Sequence, residues 1–217
     1  MDKLNVLRPR RSSLHEALLE GVRPKDTLIT FNYDTTIEES MPLKGVPLWT
    51  PRDGYGIDTV GVTHTWARRW HRDRHLVGHP RSRVKLLKLH GSLNWEDQPR
   101  GTPYITLKHR PYVVRSGYYD QMAMIAPGWN KRVNVNPYKQ LWKIARGALE
   151  NCSTLAVVGY SLPETDLIAR ALFLEVVRMR SVKGGKILQE LHVADPSDAV
   201  KKRIVDLFRP ALGATED

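Results

Sequence analysis

Residues 27–34 read TLITFNYD, an apolar run of strand-forming residues that stops at Asn32. β-Branched and aromatic residues favour a strand, while Asn and Asp favour the turn that follows it. Residues 84–92, VKLLKLHGS, repeat this arrangement, with a strand predicted to end at His90. In an open parallel sheet the strand ends line one edge, so both stretches predict polar side chains at a common ligand-binding edge.

The C-terminal half alternates helices and strands. We expect, in chain order, a helix over 138–151, a strand over 154–159, a helix from Pro163 to about Arg180, a strand over 190–194 and a helix over 198–208 capped by Ser197. The strand over 154–159 is an unbroken apolar run, typical of a strand covered on both faces. The alternation predicts an α/β fold, namely a Rossmann-like parallel sheet with helices on both faces.

The N-terminal half is less regular. An apolar stripe of Leu14, Ala17 and Leu18 predicts a short helix that ends at Gly21, and residues 104–107 and 122–126 are predicted short strands. From about 42 to 83 the periodicity is lost and Pro and Gly recur, although 65–74 has the pattern of a polar helix. We expect an irregular insertion in a single domain that covers residues 1–217.

Composition and charge narrow the classes of protein. The 217 residues include 41% apolar and 26% charged residues, as in globular proteins. No apolar run approaches the roughly 20 residues that span a bilayer, and charged sequence follows Met1. The only cysteine, Cys152, excludes an internal disulfide and a cysteine-based zinc site, so we expect a cytoplasmic protein without membrane contact.

The formal net charge of +11 is concentrated between Arg52 and Arg115, where basic residues far outnumber acidic ones. Such a field attracts polyanions. The interpretation we favour is a solvated basic face, or one neutralised by an acidic partner subunit. Contact with nucleic acid stays open, and a compact anionic dinucleotide would also be attracted.

Four predicted strands are followed directly by polar residues or glycine. They are Asn32 and Asp34, then His90, Gly91 and Ser92, then Gly159 and Ser161, and finally Asp195. Each group taken alone is also typical of an ordinary turn. Four such groups at one sheet edge indicate a site.

With these motifs in this order, the sequence resembles the sirtuin superfamily, and within it the divergent bacterial branch that includes NAD-hydrolysing domains of anti-phage defence. TFNYD at 30–34 resembles the motif whose Asn and Asp approach the nicotinamide and its ribose. LHGS at 89–92 resembles the motif that holds the catalytic histidine. VGYSL at 158–162 resembles the Gly-Thr-Ser loop beside the cofactor, with Tyr160 replacing Thr, and Asp195 stands where the family contacts the adenine-side ribose.

The resemblance implies hydrolysis of NAD, the substrate, to nicotinamide and ADP-ribose, with His90 and Asn32 as catalytic residues. It implies NAD contacts from Asp34, Gly91, Ser92, Gly159, Ser161 and Asp195. The imidazole of His90 can serve as the base for water or a ribose hydroxyl, and no metal is needed.

Two departures from the family pattern bear on function. The two CxxC pairs that hold structural zinc in classical sirtuins are missing, which favours NAD hydrolysis over protein deacylation. Nothing before Thr27 resembles the family's strand and glycine-rich phosphate turn, and Gly54-Tyr55-Gly56 follows no strand. We therefore expect an N-terminally incomplete domain or an incomplete pocket. The alternative function is a non-catalytic nucleotide-sensing or interaction module, with a partner protein, a second copy or nucleic acid as its partner.

Other features are interpreted as structural. His71, His75 and His79 have the spacing of a helical metal site, but Gly78 and Pro80 disrupt that helix, so we expect a basic segment without metal. Trp95 and Trp129 are expected to fill the core rather than to wall a nucleotide pocket.

Overall fold

The computed structural model describes residues 12–41, 48–51, 53–60, 82–96, 102–107, 122–125, 131–182 and 185–213. The chain divides into two compact units, which are described separately: residues 1–126 with 131–142 form unit 1, and residues 127–130 with 143–217 form unit 2. The predicted polar helix at 65–74, the three spaced histidines and Trp129 lie outside the described residues.

The order of elements agrees with an α/β fold, as predicted. The helices and strands are α1 (Ser13–Glu20), β1 (Thr27–Thr30), α2 (Thr36–Ser40), β2 (Asp58–Val60), β3 (Lys85–Lys88), β4 (Gly91–Glu96), β5 (Tyr104–Leu107), β6 (Met122–Met124), α3 (Tyr138–Asn151), β7 (Thr154–Val158), α4 (Leu167–Ser181), β8 (Glu190–Ala194) and α5 (Asp198–Phe208). Short 3₁₀ helices cover Lys131–Asn134 and Arg209–Ala211.

The described residues of unit 1 form two sheets. Strands β1 and β3 pair in parallel, from Thr27 opposite Lys85 to Thr30 opposite Lys88. The second sheet has the order β2-β5-β4-β6, in which β4 runs antiparallel to both of its neighbours. Strand β4 was not predicted, because its Gly, Ser and Asn residues have low strand propensity and only its packing in the sheet makes it a strand.

The core of unit 1 contains three aromatic rings that pack edge to face. The ring of Tyr55 meets those of Trp49 and Trp95 edge to face, with centroid distances of 5.0 and 5.1 Å. All three side chains are fully buried, so the core role predicted for Trp95 is confirmed. A Cβ atom at Gly54 would overlap the indole of Trp49, so this glycine is needed for packing.

Unit 2 pairs β7 and β8 in parallel, from Thr154 opposite Glu190 to Val158 opposite Ala194. The prediction that β7 is covered on both faces is wrong, since Thr154, Ala156 and Val158 are exposed and alternate with half-buried residues. Strand β7 is therefore covered on one face only, and its apolar run did not reveal this.

Helix α4 begins at Leu167, so the predicted start at Pro163 is wrong. The carboxylate of Asp166 caps this helix by accepting a hydrogen bond from the Ala169 N–H at 3.3 Å. Before it, the backbone of Leu162 has a positive φ of 50°, a conformation that no helix contains. The loop after β7 therefore turns before the helix can begin.

Helix α1 has the predicted span and ends before Gly21. The apolar stripe from which this helix was predicted is largely exposed, since the exposed fractions of Leu14 and Leu18 are 81% and 43%, whereas Leu19 is buried. None of the helices in the described ranges has the length and apolar character that a bilayer-spanning segment requires.

Candidate functional site

Unit 1 brings the two strand-end motifs together. The carbonyl oxygen of Tyr33 accepts hydrogen bonds from the Leu93 N–H at 2.9 Å and from the Ser92 hydroxyl at 3.2 Å. The Tyr33 hydroxyl in turn donates to the Ile125 carbonyl at 2.6 Å. The loop after β1 is thus held directly against the turn between β3 and β4, as the shared sheet edge predicted.

His90 lies in an aromatic cluster formed by Phe31, Tyr33 and Trp142. Its ring centroid is 5.2 Å from that of Phe31, 6.2 Å from that of Tyr33 and 6.3 Å from that of Trp142. The indole N–H of Trp142 donates to the Leu89 carbonyl at 3.1 Å. His90 itself is only 4% exposed, so its ring position is set by packing on several sides.

Asn32 is exposed, in contrast to His90. Its backbone N–H donates to the Thr30 hydroxyl at 3.1 Å, which fixes the turn where β1 ends. The loop therefore presents an exposed amide next to Tyr33, whose ring lies against the histidine.

Asp34 stabilises the backbone where the loop leads into α2. Its carboxylate accepts the Thr36 N–H at 2.8 Å at the start of α2. Burial alone would raise the pKa of Asp34, but hydrogen bonds from Thr36 and the positive charge of Lys88 outweigh burial and lower that pKa. Asp34 is therefore ionised at neutral pH.

Gly91 and Ser92 shape the turn after His90. Gly91 has φ of +85°, which only glycine adopts without strain. Ser92 is completely buried, and its hydroxyl is engaged with the Tyr33 carbonyl. Both residues hold the two motifs in place, whereas only a contact with NAD was predicted for them from the sequence.

The motif residues of unit 2 lie together at the ends of β7 and β8. Gly159, with φ of +62°, donates its N–H to the Ala194 carbonyl at 2.9 Å. Ser161 is exposed, and its carbonyl oxygen accepts a hydrogen bond from Arg203 at 3.1 Å. Asp195 accepts the Ser197 N–H at 2.8 Å. These residues form a second pair of strand-end loops. In the described residues β7-β8 and β1-β3 are separate sheets, so a common edge is seen within each pair of strands and not for all four.

Tyr160, which stands where the family motif has Thr, ties its loop to α4. Its hydroxyl donates to the carboxylate of Asp166 at 2.8 Å. Burial and this hydrogen bond raise the pKa of Tyr160, so the phenol stays protonated. The Tyr160 side chain, which is larger than the Thr of the family motif, therefore has a hydrogen-bond partner, Asp166, within unit 2.

A buried polar cluster in unit 1 was missed at the sequence level. It consists of Glu38, Tyr55, Lys88 and Asn94, all of them buried. The available signal was Lys88 itself, a charged residue that follows two leucines of the strand and stands two positions before His90. Across the described parts of the chain, no three His, Cys, Asp or Glu side chains are grouped so that they would hold a metal ion.

Comparison with known proteins agrees with these motifs. The family model of the SIR2-like domain matches residues 26–179, a range that includes both strand-end motifs of unit 1 as well as Gly159 and Ser161 and that ends before Asp195. No curated protein gives a significant match. SIR2-like domains bind NAD. The chain belongs to the SIR2-like domain family, as the resemblance to sirtuins predicted.

Proposed function

We propose that this protein hydrolyses NAD to nicotinamide and ADP-ribose at the two joined strand ends of unit 1. The observation that carries the proposal is the direct attachment of the Asn32-to-Asp34 loop to the turn of His90, through two hydrogen bonds to the Tyr33 carbonyl. An amide, a carboxylate and an imidazole are thereby carried by two segments that are hydrogen-bonded to each other. Membership in a family that binds NAD supplies the substrate class.

The chemistry needs few groups. The bond between the ribose C1′ and the nicotinamide nitrogen breaks, and its electron pair goes to the pyridinium ring, which leaves as neutral nicotinamide. A water oxygen then bonds to C1′, and its proton passes to the imidazole of His90. Because the leaving group is neutral, no general acid is required. Asn32, which is exposed, would orient the carboxamide or the attacking water.

Asp34 supports the same step through its charge. The transition state at C1′ has oxocarbenium character, so a nearby carboxylate stabilises it. The lowered pKa of Asp34 keeps the carboxylate ionised at neutral pH. Gly91 and Ser92 are both buried and take part in this proposal by holding the turn that carries His90.

Gly159, Ser161 and Asp195 are proposed NAD contacts on the basis of their motifs. Gly159 and Ser161 are exposed and Asp195 is half-buried, so all three are accessible to a ligand. The carboxylate of Asp195 uses Oδ1 for the Ser197 N–H, and a carboxylate has further acceptor capacity for the two hydroxyls of a ribose.

A second candidate function is a non-catalytic nucleotide-sensing module. The low exposure of His90, 4%, favours it, because a general base must come within hydrogen-bond reach of its proton donor. In this alternative NAD or a related nucleotide binds and is released unchanged.

The decisive assay is incubation of the purified protein with NAD, followed by chromatography of the products. We expect nicotinamide and ADP-ribose in equal amounts. NAD that binds in calorimetry but is recovered intact would favour the sensing module. Formation of AMP and nicotinamide mononucleotide would contradict the proposed reaction, because it requires cleavage of the pyrophosphate.

The role in anti-phage defence rests on the sirtuin resemblance alone. It predicts that cells expressing the protein lose NAD during phage infection, while uninfected cells do not. Measurement of cellular NAD after infection checks this, and an unchanged NAD level in infected cells would contradict the defence role.

Nucleic acid as a partner is tested by whether binding to DNA or RNA survives high salt, since purely phosphate-driven binding does not.

A further inference from the structure

A buried ion pair lies directly beneath the two joined motifs of unit 1. The ammonium of Lys88, at the end of β3, is 3.0 Å from Oε1 of Glu38 in α2. The exposed fractions of the two side chains are 1% and 0%. Lys88 precedes His90 by two residues, and Glu38 follows Asp34 by four.

The same ammonium holds the backbone of the loop. Lys88 Nζ donates a hydrogen bond to the carbonyl oxygen of Asp34 as well as to Glu38. One buried cation thus connects the strand that leads to His90, the loop that carries Asn32, and the helix that follows the loop. Neither Lys88 nor Glu38 belongs to the residues that the proposed reaction uses.

Glu38 is itself held in place by neutral partners. The hydroxyl of Tyr55 donates to Oε1 of Glu38 at 3.0 Å, and the amide of Asn94 donates to the Tyr55 oxygen at 3.1 Å. Burial and the charge of Glu38 raise the pKa of Tyr55 well above its ordinary value, so Tyr55 remains a donor. The chain of bonds ends in β4, the strand that begins at Gly91.

Stability alone does not explain such an arrangement. Desolvation of two charges usually offsets their attraction, so a well-packed apolar pair would stabilise the protein as well or better. What the ion pair supplies is a constraint on geometry, because the ammonium bonds at once to an acceptor in the loop and to one in α2 and so restricts how the two can be placed.

We propose that Lys88 and Glu38 are positioning residues that fix the Asn32-to-Asp34 loop against the His90 turn in the geometry that the reaction requires. The catalytic part of this inference rests on the proposed NAD hydrolysis. The claim that Lys88 and Glu38 hold the loop in place does not depend on NAD hydrolysis, and amide hydrogen exchange tests it separately.

The test compares wild type with the double variant K88M/E38Q, which removes both charges and retains the approximate volume of both side chains. Lys85→Met is the matched control, because Lys85 lies on the same strand and is exposed. Rates of NAD hydrolysis are expressed per folded molecule, with the folded fraction taken from circular dichroism. Amide hydrogen exchange is followed at Thr36 and Leu93, whose N–H groups bond to Asp34 and Tyr33.

In the double variant we expect kcat to fall about 10- to 100-fold while KM changes less than about threefold, because small misplacements of catalytic groups are costly and mostly affect the transition state. Exchange at Thr36 and Leu93 should accelerate at least about tenfold, while the capped Ala169 amide of unit 2 is unchanged. Lys85→Met should leave kcat and both amides as in wild type.

Glu38→Gln alone serves as the second variant if the double variant does not fold. It keeps the acceptor for Tyr55 and weakens only the attraction of the ammonium, so we expect measurable changes in the same direction that are smaller than those of the double variant. Wild-type exchange at Thr36 and Leu93 in a folded variant overturns the positioning role. Faster exchange with an unchanged kcat overturns its catalytic part. If wild type leaves NAD intact, the proposed function fails, and the exchange rates still decide whether Lys88 and Glu38 position the loop.

Discussion

The strand ends of unit 1 and those of unit 2 carry similar motif residues but hold them differently. In unit 1, Ser92 is buried and the Tyr33 backbone accepts bonds from two residues across the motifs. In unit 2, Ser161 is exposed and the carboxylate of Asp195 accepts a hydrogen bond from a near neighbour in sequence, Ser197. His90, Gly91 and Ser92 of unit 1 are buried, whereas Gly159 and Ser161 of unit 2 are exposed.

This difference distinguishes two roles that residues of one sequence motif can have, namely forming the fold and contacting a ligand. Buried motif residues such as Gly91 and Ser92 build the turn that carries His90, so their replacement should first affect folding. Exposed residues such as Ser161 make few contacts within the chain, so any strong effect of their replacement would reveal a ligand. Matched substitutions in the two units can therefore test each assignment.

The largest expected effect is the difference in stability between loss of the buried Lys88–Glu38 pair of unit 1 and loss of the exposed Arg146–Glu175 pair of unit 2. Glu38→Leu leaves the ammonium of Lys88 buried without its charged partner, which should lower the free energy of unfolding by about 3–5 kcal/mol. Glu175→Leu removes a solvent-accessible pair with Arg146 and should cost at most about 1 kcal/mol. Urea denaturation followed by tryptophan fluorescence measures the first, since Trp49, Trp95 and Trp142 lie in unit 1, and circular dichroism measures the second. Equal costs would contradict the contrast between the two units.

A smaller effect is expected from the two serines. Ser92→Ala removes a buried hydrogen bond to Tyr33 and should cost about 1 kcal/mol, because Leu93 still satisfies that carbonyl. Ser161→Ala should change stability by less than about 0.5 kcal/mol and instead raise KM for NAD. Denaturant midpoints and steady-state kinetics check both, and a Ser161→Ala variant with unchanged KM would remove Ser161 from the proposed contacts.

Tyr160→Phe tests whether the residue that replaces Thr in the motif is structural. The substitution deletes the hydrogen bond to Asp166 but leaves the helix cap at Ala169, so we expect a loss of about 1 kcal/mol. Tyr104→Phe, at an exposed position in unit 1, is the control and should be neutral. Thermal melting followed by circular dichroism distinguishes them, and equal melting temperatures would argue against the role of the Tyr160 hydroxyl.

The smallest effect is the pH dependence that Asp34 contributes. Its pKa is lower in the folded protein than in the unfolded chain, so its stabilising contribution is complete above the ordinary Asp value of about 3.9 and is lost as pH falls through the folded pKa. Wild type should therefore lose stability relative to Asp34→Asn in acid. Urea midpoints measured from pH 6 down to about pH 3 give the difference, and a difference that does not vary with pH would contradict the assignment.

Much of the fold could be predicted from local pattern. The periodicity of α3 and the strands around His192 and Leu86 were strong enough that their predicted spans agree with the structure to within a residue or two. The predictions failed where long-range packing decides. Strand β4 forms from residues of low strand propensity, the loop at Leu162 delays α4, and the exposed face of β7 has the same apolar composition as a buried one.

The site was predictable in part for the same reason. The strand ends identified Asn32 and His90, because turn-forming polar residues after apolar runs are a local signal. The cluster of Glu38, Tyr55, Lys88 and Asn94 was not predictable, since its members come from separate segments and only their hydrogen bonds reveal that they belong together.

The most direct test of the proposed centre is the rate of NAD hydrolysis in His90→Ala, with His192→Ala as the control. His192 is exposed on β8 and pairs with Glu190, outside the aromatic cluster of unit 1. We predict that wild type and His192→Ala release nicotinamide at equal rates, and that His90→Ala is at least about 100-fold slower per folded molecule because it lacks the base. A His90→Ala variant that is folded and releases nicotinamide at the wild-type rate would contradict the central claim.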